Sequence, residues 1–182
     1  LVGQAMNPVP GESKKQNAIR IIKATILDHF DGDTFRVKLA NGKVEVVRFL
    51  CIDTPEVHHP RLGLQPFGLE EAFTAKYAPV GKEVALEMNV GERDNFKRLV
   101  AYVWADGQLL NRMLVKRGLA RVAYTYQPYT KYVDYLEKTQ KKAQKLCERI
   151  GMRKEVHFIQ DFWSKNEWTD SIVYGMLSSD LK

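Results

Sequence analysis

The sequence predicts a mainly β, α+β domain: a small closed barrel of five strands with three helices, followed by a C-terminal extension. Three observations carry this expectation. Short β-branched runs separated by Asp-Gly and Asn-Gly turns fill the first third of the chain. Helical periodicity enters only after the third of these runs. Strands and helices do not alternate throughout, as a parallel α/β sheet would require. At 182 residues, the chain is long enough for one domain with a real hydrophobic core.

Residues 1–17, LVGQAMNPVPGESKKQN, read as a flexible N-terminal arm rich in Pro, Gly and polar groups. The main domain is expected over residues 18–153. From Ile19, IRIIKATILDHF is a β-branched first strand, DGD a turn, and TFRVKL an alternating, half-buried second strand. Ala40, Asn41 and Gly42 form a hairpin turn into KVEVVRFLCI, the third strand. GLEEAFTAKYA then changes to helical period, with Leu69, Ala72, Phe73, Lys76 and Tyr77 on one side, and Pro79 and Gly81 stop it. KEVALEMNV and RLVAYVWADG supply strands four and five. QLLNRMLVKRG is the second helix, with Leu110, Met113 and Leu114 inward and Gly118 just past its end. A third helix runs from Lys131 to Ile150, with Val133, Leu136, Ala143, Leu146 and Ile150 as its apolar stripe. Five strands with a helix inserted after the third suit a barrel of the OB type. In the extension, 154–182, Phe158, Ile159, Phe162 and Trp163 recur at helical spacing and predict a further helix packed on the domain.

Composition narrows the partners. The formal net charge of +6, with 27% charged and 45% hydrophobic residues, is that of a globular chain biased towards polyanions. No window approaches the ~18–20 apolar residues that cross a bilayer, so no membrane partner is expected. Two cysteines, Cys51 and Cys147, are too few for a disulfide framework. His58 and His59 are adjacent, a spacing that does not normally chelate one ion, and receive no role.

The chemistry concentrates at two strand ends, DGDT (Asp31 to Thr34) and DTPE (Asp53 to Glu56). If both turns reach the same barrel rim, Asp33, Asp53 and Glu56 converge, and a hard divalent ion, Ca²⁺ or Mg²⁺, is their natural partner. The competing reading is ordinary turn chemistry, with the carboxylates accepting backbone N–H bonds. Arg48 stands five residues before Asp53, an odd spacing that puts the two on opposite faces of a regular strand. Joining them needs a bulge or a strand end. The planar fork of Arg48 suits a carboxylate or a phosphate. Arg98 follows the charged loop ERDNFK; Tyr124 and Tyr126 alternate, so they share a face on which a base could stack or the rings simply pack.

These blocks, together with HPRLGLQPFG, RLVAYVWADG and LVKRGLARVAY in this order, resemble the staphylococcal nuclease (thermonuclease) family of small calcium-dependent nucleases, over roughly Ile21 to Arg153. The resemblance implies an OB-type barrel with three helices. It implies Ca²⁺ held by Asp33, Asp53 and the Thr54 carbonyl, Glu56 as general base, and Arg48 and Arg98 on the scissile phosphate. Tyr124 and Tyr126 would line the nucleotide pocket, and Asp94 would support the loop beside Arg98. The loop departs from the family at Asn95 and Phe96, where a Lys and a Tyr are expected, and at Lys97, where Gly is frequent. The implied reaction cleaves the P–O5′ bond of DNA or RNA, single-stranded by preference, leaving 3′-phosphate ends with weak sequence specificity. The implied protein is a monomer, secreted or at the cell surface, and the start at Leu1 without an initiator Met agrees with a removed leader. The rival class is a non-catalytic module that binds single-stranded nucleic acid; it would be expected to lose the acids or arginines kept here. A protein-binding domain whose carboxylates hold a stabilising ion ranks third, since it leaves Arg48 and Arg98 without a task.

Overall fold

A computed structural model describes residues 20–54, 58–59, 63–64, 69–125, 130–164 and 167–177; the side chains of 58–59, 63–64, 89–91, 161–167, 169 and 171 are not described. The expected arm, 1–17, lies outside these residues. Three strands come first: β1 (Arg20–Asp31), β2 (Thr34–Leu39) and β3 (Val44–Phe49). Short pairings follow, β4 (Ile52–Asp53), β5 (His58–His59) and β6 (Gly63–Leu64), and then α1 (Leu69–Tyr77). The barrel resumes with β7 (Glu83–Arg93), β8 (Leu99–Ala105) and β9 (Gln108–Leu109), after which come α2 (Leu110–Lys116), β10 (Arg121–Val122) and α3 (Val133–Arg149). The chain ends its described part in β11 (Arg153–Ser164) and β12 (Glu167–Gly175).

Strands β3, β2, β1, β7 and β8 are neighbours in that order, and β3 also pairs with β8, which closes a five-stranded barrel. Four of the five pairings are antiparallel. The closing seam is parallel and short, matching Val47 with Leu99, Arg48 with Val100 and Phe49 with Ala101. The expected mainly β barrel of the OB type with three helices is therefore the fold. Alternation explains the filling: Val47 and Phe49 of β3, Phe35 and Val37 of β2, Ile26 of β1 and Leu86 of β7 are all buried. Phe35 and Phe49 meet edge to face, with ring centroids 5.1 Å apart.

The helices fasten the ends of the strands. The turn after β1 approaches α1 so closely that a Cβ on Gly32 would lie 2.5 Å from Cβ of Glu70. Thr74 of α1 donates its hydroxyl hydrogen to the Gly32 carbonyl at 2.7 Å. In α2 the buried Asn111 accepts from the Val103 amide at 3.0 Å and donates to the Leu50 carbonyl at 2.8 Å. The start of α3 is held by Glu87 of β7, which takes hydrogen bonds from Trp104, Tyr132 and Lys131. Val133 and Leu136 are buried as the stripe predicts, whereas Leu146 and Ile150 at its far end are exposed.

Two elements differ from the sequence reading. The third strand does not run unbroken to Ile52. It stops at Phe49, turns through Leu50 and Cys51, and restarts as the two-residue β4. Cys51 takes φ 60°, in the left-handed region. The second difference is the extension. Instead of a helix, Arg153–Ser164 and Glu167–Gly175 form an antiparallel hairpin. Aromatics four apart satisfy the period of two as well as that of 3.6. The segment carries Val, Ile, Phe and Trp, residues with strand preference, and pairing with a second such run decides the outcome. Phe158, expected to pack, is 49% exposed; the side chains of Phe162 and Trp163 lie outside the description.

Candidate active site

The left-handed break at Cys51 resolves the parity of Arg48 and Asp53. Four contacts hold it: the Leu50 amide on the Ala101 carbonyl, the Ala123 amide on the Cys51 carbonyl, Asn111 on the Leu50 carbonyl, and the Cys51 thiol against the Tyr102 hydroxyl at 3.3 Å. Beyond it Asp53 emerges on the side of Arg48, whose Nη2 donates to Asp53 Oδ1 at 2.9 Å. Nη1 of the same guanidinium pairs with Asp33 Oδ2. One arginine thus bridges the two carboxylates that the sequence placed at separate strand ends.

Asp33 is 2% exposed. Its Oδ2 accepts the Thr54 amide at 2.8 Å and its Oδ1 the Thr34 hydroxyl at 3.1 Å. Its own amide donates to Asp31 Oδ1 at 3.0 Å. Burial pushes its pKa up to about 7, against the Arg48 guanidinium, which pulls it down; Asp31 adds to the rise. Added positive charge beside this carboxylate would be well received.

Asp53 carries a second arginine that the sequence reading missed. Arg121 is its register partner across β10 and β4, and its Nε and Nη2 lie 3.2 and 3.1 Å from Asp53 Oδ2. The only trace in the sequence is a basic residue three positions before Tyr124; the pairing itself is a matter of strand register. Tyr124, with φ 55°, stands beside the group, and the Arg48 guanidinium carbon is 5.8 Å from its ring centroid.

Asp33, Arg48, Asp53, Thr54 and Tyr124 therefore form one connected cluster at the barrel rim. Arg98 immediately precedes the neighbouring strand β8, two residues before Val100, the register partner of Arg48. Its Nε donates to Asp94 Oδ2 at 2.7 Å and its guanidinium covers the Phe96 ring at 5.2 Å. Asp94 also accepts the amides of Phe96 and Arg98, at 2.9 Å each, so it builds the loop as expected. The Glu56 and Tyr126 assignments fall outside the described residues. Among the described residues no three His, Cys, Asp or Glu side chains gather around one point. The donor set that is present, two carboxylates and the Thr54 peptide, is one of hard oxygens and fits a Ca²⁺- or Mg²⁺-like ion.

The closed barrel and this rim define an OB-type domain with a carboxylate–arginine site. A family model described as staphylococcal nuclease homologue matches residues 46–153, more than half of the chain. The chain belongs to the staphylococcal nuclease family. It is 39% identical over 139 residues to endonuclease YncB of Bacillus subtilis, covering 75% of this chain and 65% of that protein. To the SPbeta prophage-derived endonuclease YokF of the same species it is 38% identical over 147 residues, 80% of this chain and 45% of that one. To the thermonuclease of Staphylococcus hyicus it is 39% identical over 120 residues, covering 66% and 70%. The chain thus spans just under two thirds and under half of the two Bacillus relatives.

Proposed function

We propose that this chain is a calcium-dependent nuclease that hydrolyses the P–O5′ bond of DNA and RNA and leaves 3′-phosphate ends. The observation that supports it most is the chain Asp33–Arg48–Asp53, a buried and a partly exposed carboxylate tied by one arginine. Relatives named endonuclease and thermonuclease lend it class support.

In this reading Asp33, Asp53 and the Thr54 carbonyl hold Ca²⁺. Bound there, the ion supplies Lewis-acid polarisation of a phosphate oxygen and orients the diester. Arg48 and Arg98 direct their N–H groups at the equatorial phosphate oxygens and neutralise the charge that grows there in the transition state. Glu56 accepts a proton from the attacking water. Phosphorus gains that oxygen and releases the 5′ oxygen, so the phosphate stays on the 3′ side. Tyr124 and Tyr126 line the nucleotide, Tyr124 from beside Arg48. The contacts fall on phosphate and ring faces, so sequence specificity is weak, and an unpaired strand is easier to seat than a duplex. A monomer suffices, because every proposed group comes from one chain. Release from the cell belongs to the same proposal on the family resemblance alone; recovery of the activity from the host's medium would support it.

The test is single-stranded DNA incubated with the purified chain in calcium, in magnesium and with a chelator, with the product ends identified. Cleavage in calcium to 3′-phosphate ends, much slower in magnesium, is expected. Equal rates in both ions would remove the calcium assignment. Tight binding without cleavage would favour a non-catalytic single-strand-binding module.

A further inference from the structure

Arg98 immediately precedes the seam that pairs Arg48 with Val100, and that seam is only three residue pairs long. The loop that carries Arg98 starts at Asp94 and contains Lys97 at φ 65°, a left-handed conformation that costs a side-chain-bearing residue energy. Asp94 shapes the loop from within, and the loop's ends join the barrel through the Arg93–Leu99 and Leu99–Val47 backbone pairings. A side chain adds a further tie.

That tie is Arg93, the last residue of β7. Its Nη1 and Nη2 form a two-pronged ion pair with Glu45 of β3, 2.9 Å to Oε2 and 2.8 Å to Oε1. The same Nη1 donates to the carbonyl of Lys97 at 2.7 Å. Glu45 points into the end of the barrel in the alternation of Val47 and Phe49, is 9% exposed, and accepts a further bond from Lys43. The Arg93 hydrogen bonds hold its carboxyl down to about 2, against the opposing effect of burial. A planar fork–fork pair of this kind fixes direction as well as distance.

We propose that Glu45 and Arg93 are positioning residues that lock the Arg98 loop onto the strand carrying Arg48, and so set the spacing of the two phosphate-binding arginines. Glu45 stands three residues before Arg48 on β3, and the Lys97 carbonyl belongs to the residue immediately before Arg98. Arg93 bridges the two. It extends the short seam by one side-chain link and restrains the left-handed residue where a glycine is frequent in the family. The inference rests on the reading of Arg98 as a phosphate contact, and its test separates the two.

The amides of Phe96 and Arg98 report the lock without catalysis. In Arg93→Gln and in Glu45→Gln their hydrogen exchange is expected to speed up at least about tenfold, while amides of β1 and β2 keep their rates. Loss of the lock should lower kcat about 10- to 100-fold on single-stranded DNA, the scale expected when a reacting group is displaced by about an ångström, with KM within about threefold. Arg93→Lys keeps the charge but not the fork, and should restore little. The double variant should be no worse than the poorer single one. Unchanged exchange at Phe96 and Arg98, or full recovery in Arg93→Lys, overturns the lock. Faster exchange with unchanged kcat overturns its role in positioning. If Arg98→Ala itself leaves kcat intact, it is the Arg98 reading that fails, and the exchange result still decides whether the lock exists.

Discussion

The barrel rim and the C-terminal hairpin use opposite means to stay folded. At the rim, charged groups are buried or half-buried and each is met by a partner from another strand or strand end: Asp33 by Arg48 and the Thr54 amide, Asp53 by Arg48 and Arg121. In the hairpin, β11 and β12 pair with each other, and Val156, Phe158 and Val173 share one face by register and are exposed. Its opposite face is tethered through the Tyr174 hydroxyl, which donates to Glu148 of α3 at 2.9 Å. The rim tolerates few changes, because removing Arg48 strands the buried Asp33 carboxylate. The hairpin exposes much, so many side chains there can change at little cost.

The sharpest way to break this contrast is chemical. Glu56→Gln should lower kcat about 10²- to 10⁴-fold while DNA still binds, measured by turnover and by anisotropy; an unchanged rate takes Glu56 out of the base role. Arg48→Lys should cost about 10²- to 10³-fold in kcat, since an ammonium cannot bridge two carboxylates and meet a phosphate as a fork does. A near-normal rate would make Arg48 a structural residue only.

Stability gives smaller effects. Asn111→Ala leaves the Val103 amide and the Leu50 carbonyl without their partner and should destabilise by about 2–4 kcal/mol in denaturant unfolding. A loss below about 1 kcal/mol would mean that the Leu50–Cys51 break is held by its other contacts. The Glu45 ion pair predicts an acid dependence. Its folded pKa is depressed from 4.5 to about 2 by Arg93 and Lys43, so its contribution is complete above about pH 4.5. It is lost as pH falls through about 2. Glu45→Gln should flatten the unfolding curve in that window; an identical slope would remove the pair as its source. At the bottom of the scale, Phe158→Ser on the exposed hairpin face should move stability by no more than about 0.5 kcal/mol. A larger loss would show that this face is covered, and the contrast between the two regions would fall.

How far the sequence reached differs between these regions for the same reason. The barrel strands, the turns at Asp31–Asp33 and Asn41–Gly42, and α1 to α3 were legible because period and turn chemistry are set by neighbours in the chain. Asp33, Asp53, Arg48 and Arg98 were legible as residue types at strand ends, but their meeting was not. The odd spacing of Arg48 and Asp53 required a local exception, and Cys51 shows no glycine or proline to announce one. Arg121 and Arg93 look like ordinary surface cations until strand register sets them against Asp53 and Glu45. The hairpin escapes a reading by period because aromatics four apart fit two periods.

By itself, then, the sequence determined which segments extend, which coil, and which charged groups sit at their ends, since those follow from sterics and hydrogen bonding within a few residues. Only the tertiary structure decided that Asp33 and Asp53 share one arginine, that Arg98 is tied to the strand of Arg48, and that the last segment pairs rather than coils. The first two outcomes depend on which strands closing the barrel brings together, and the third on pairing between the two adjacent runs β11 and β12, whose ladder outweighs a local helical period.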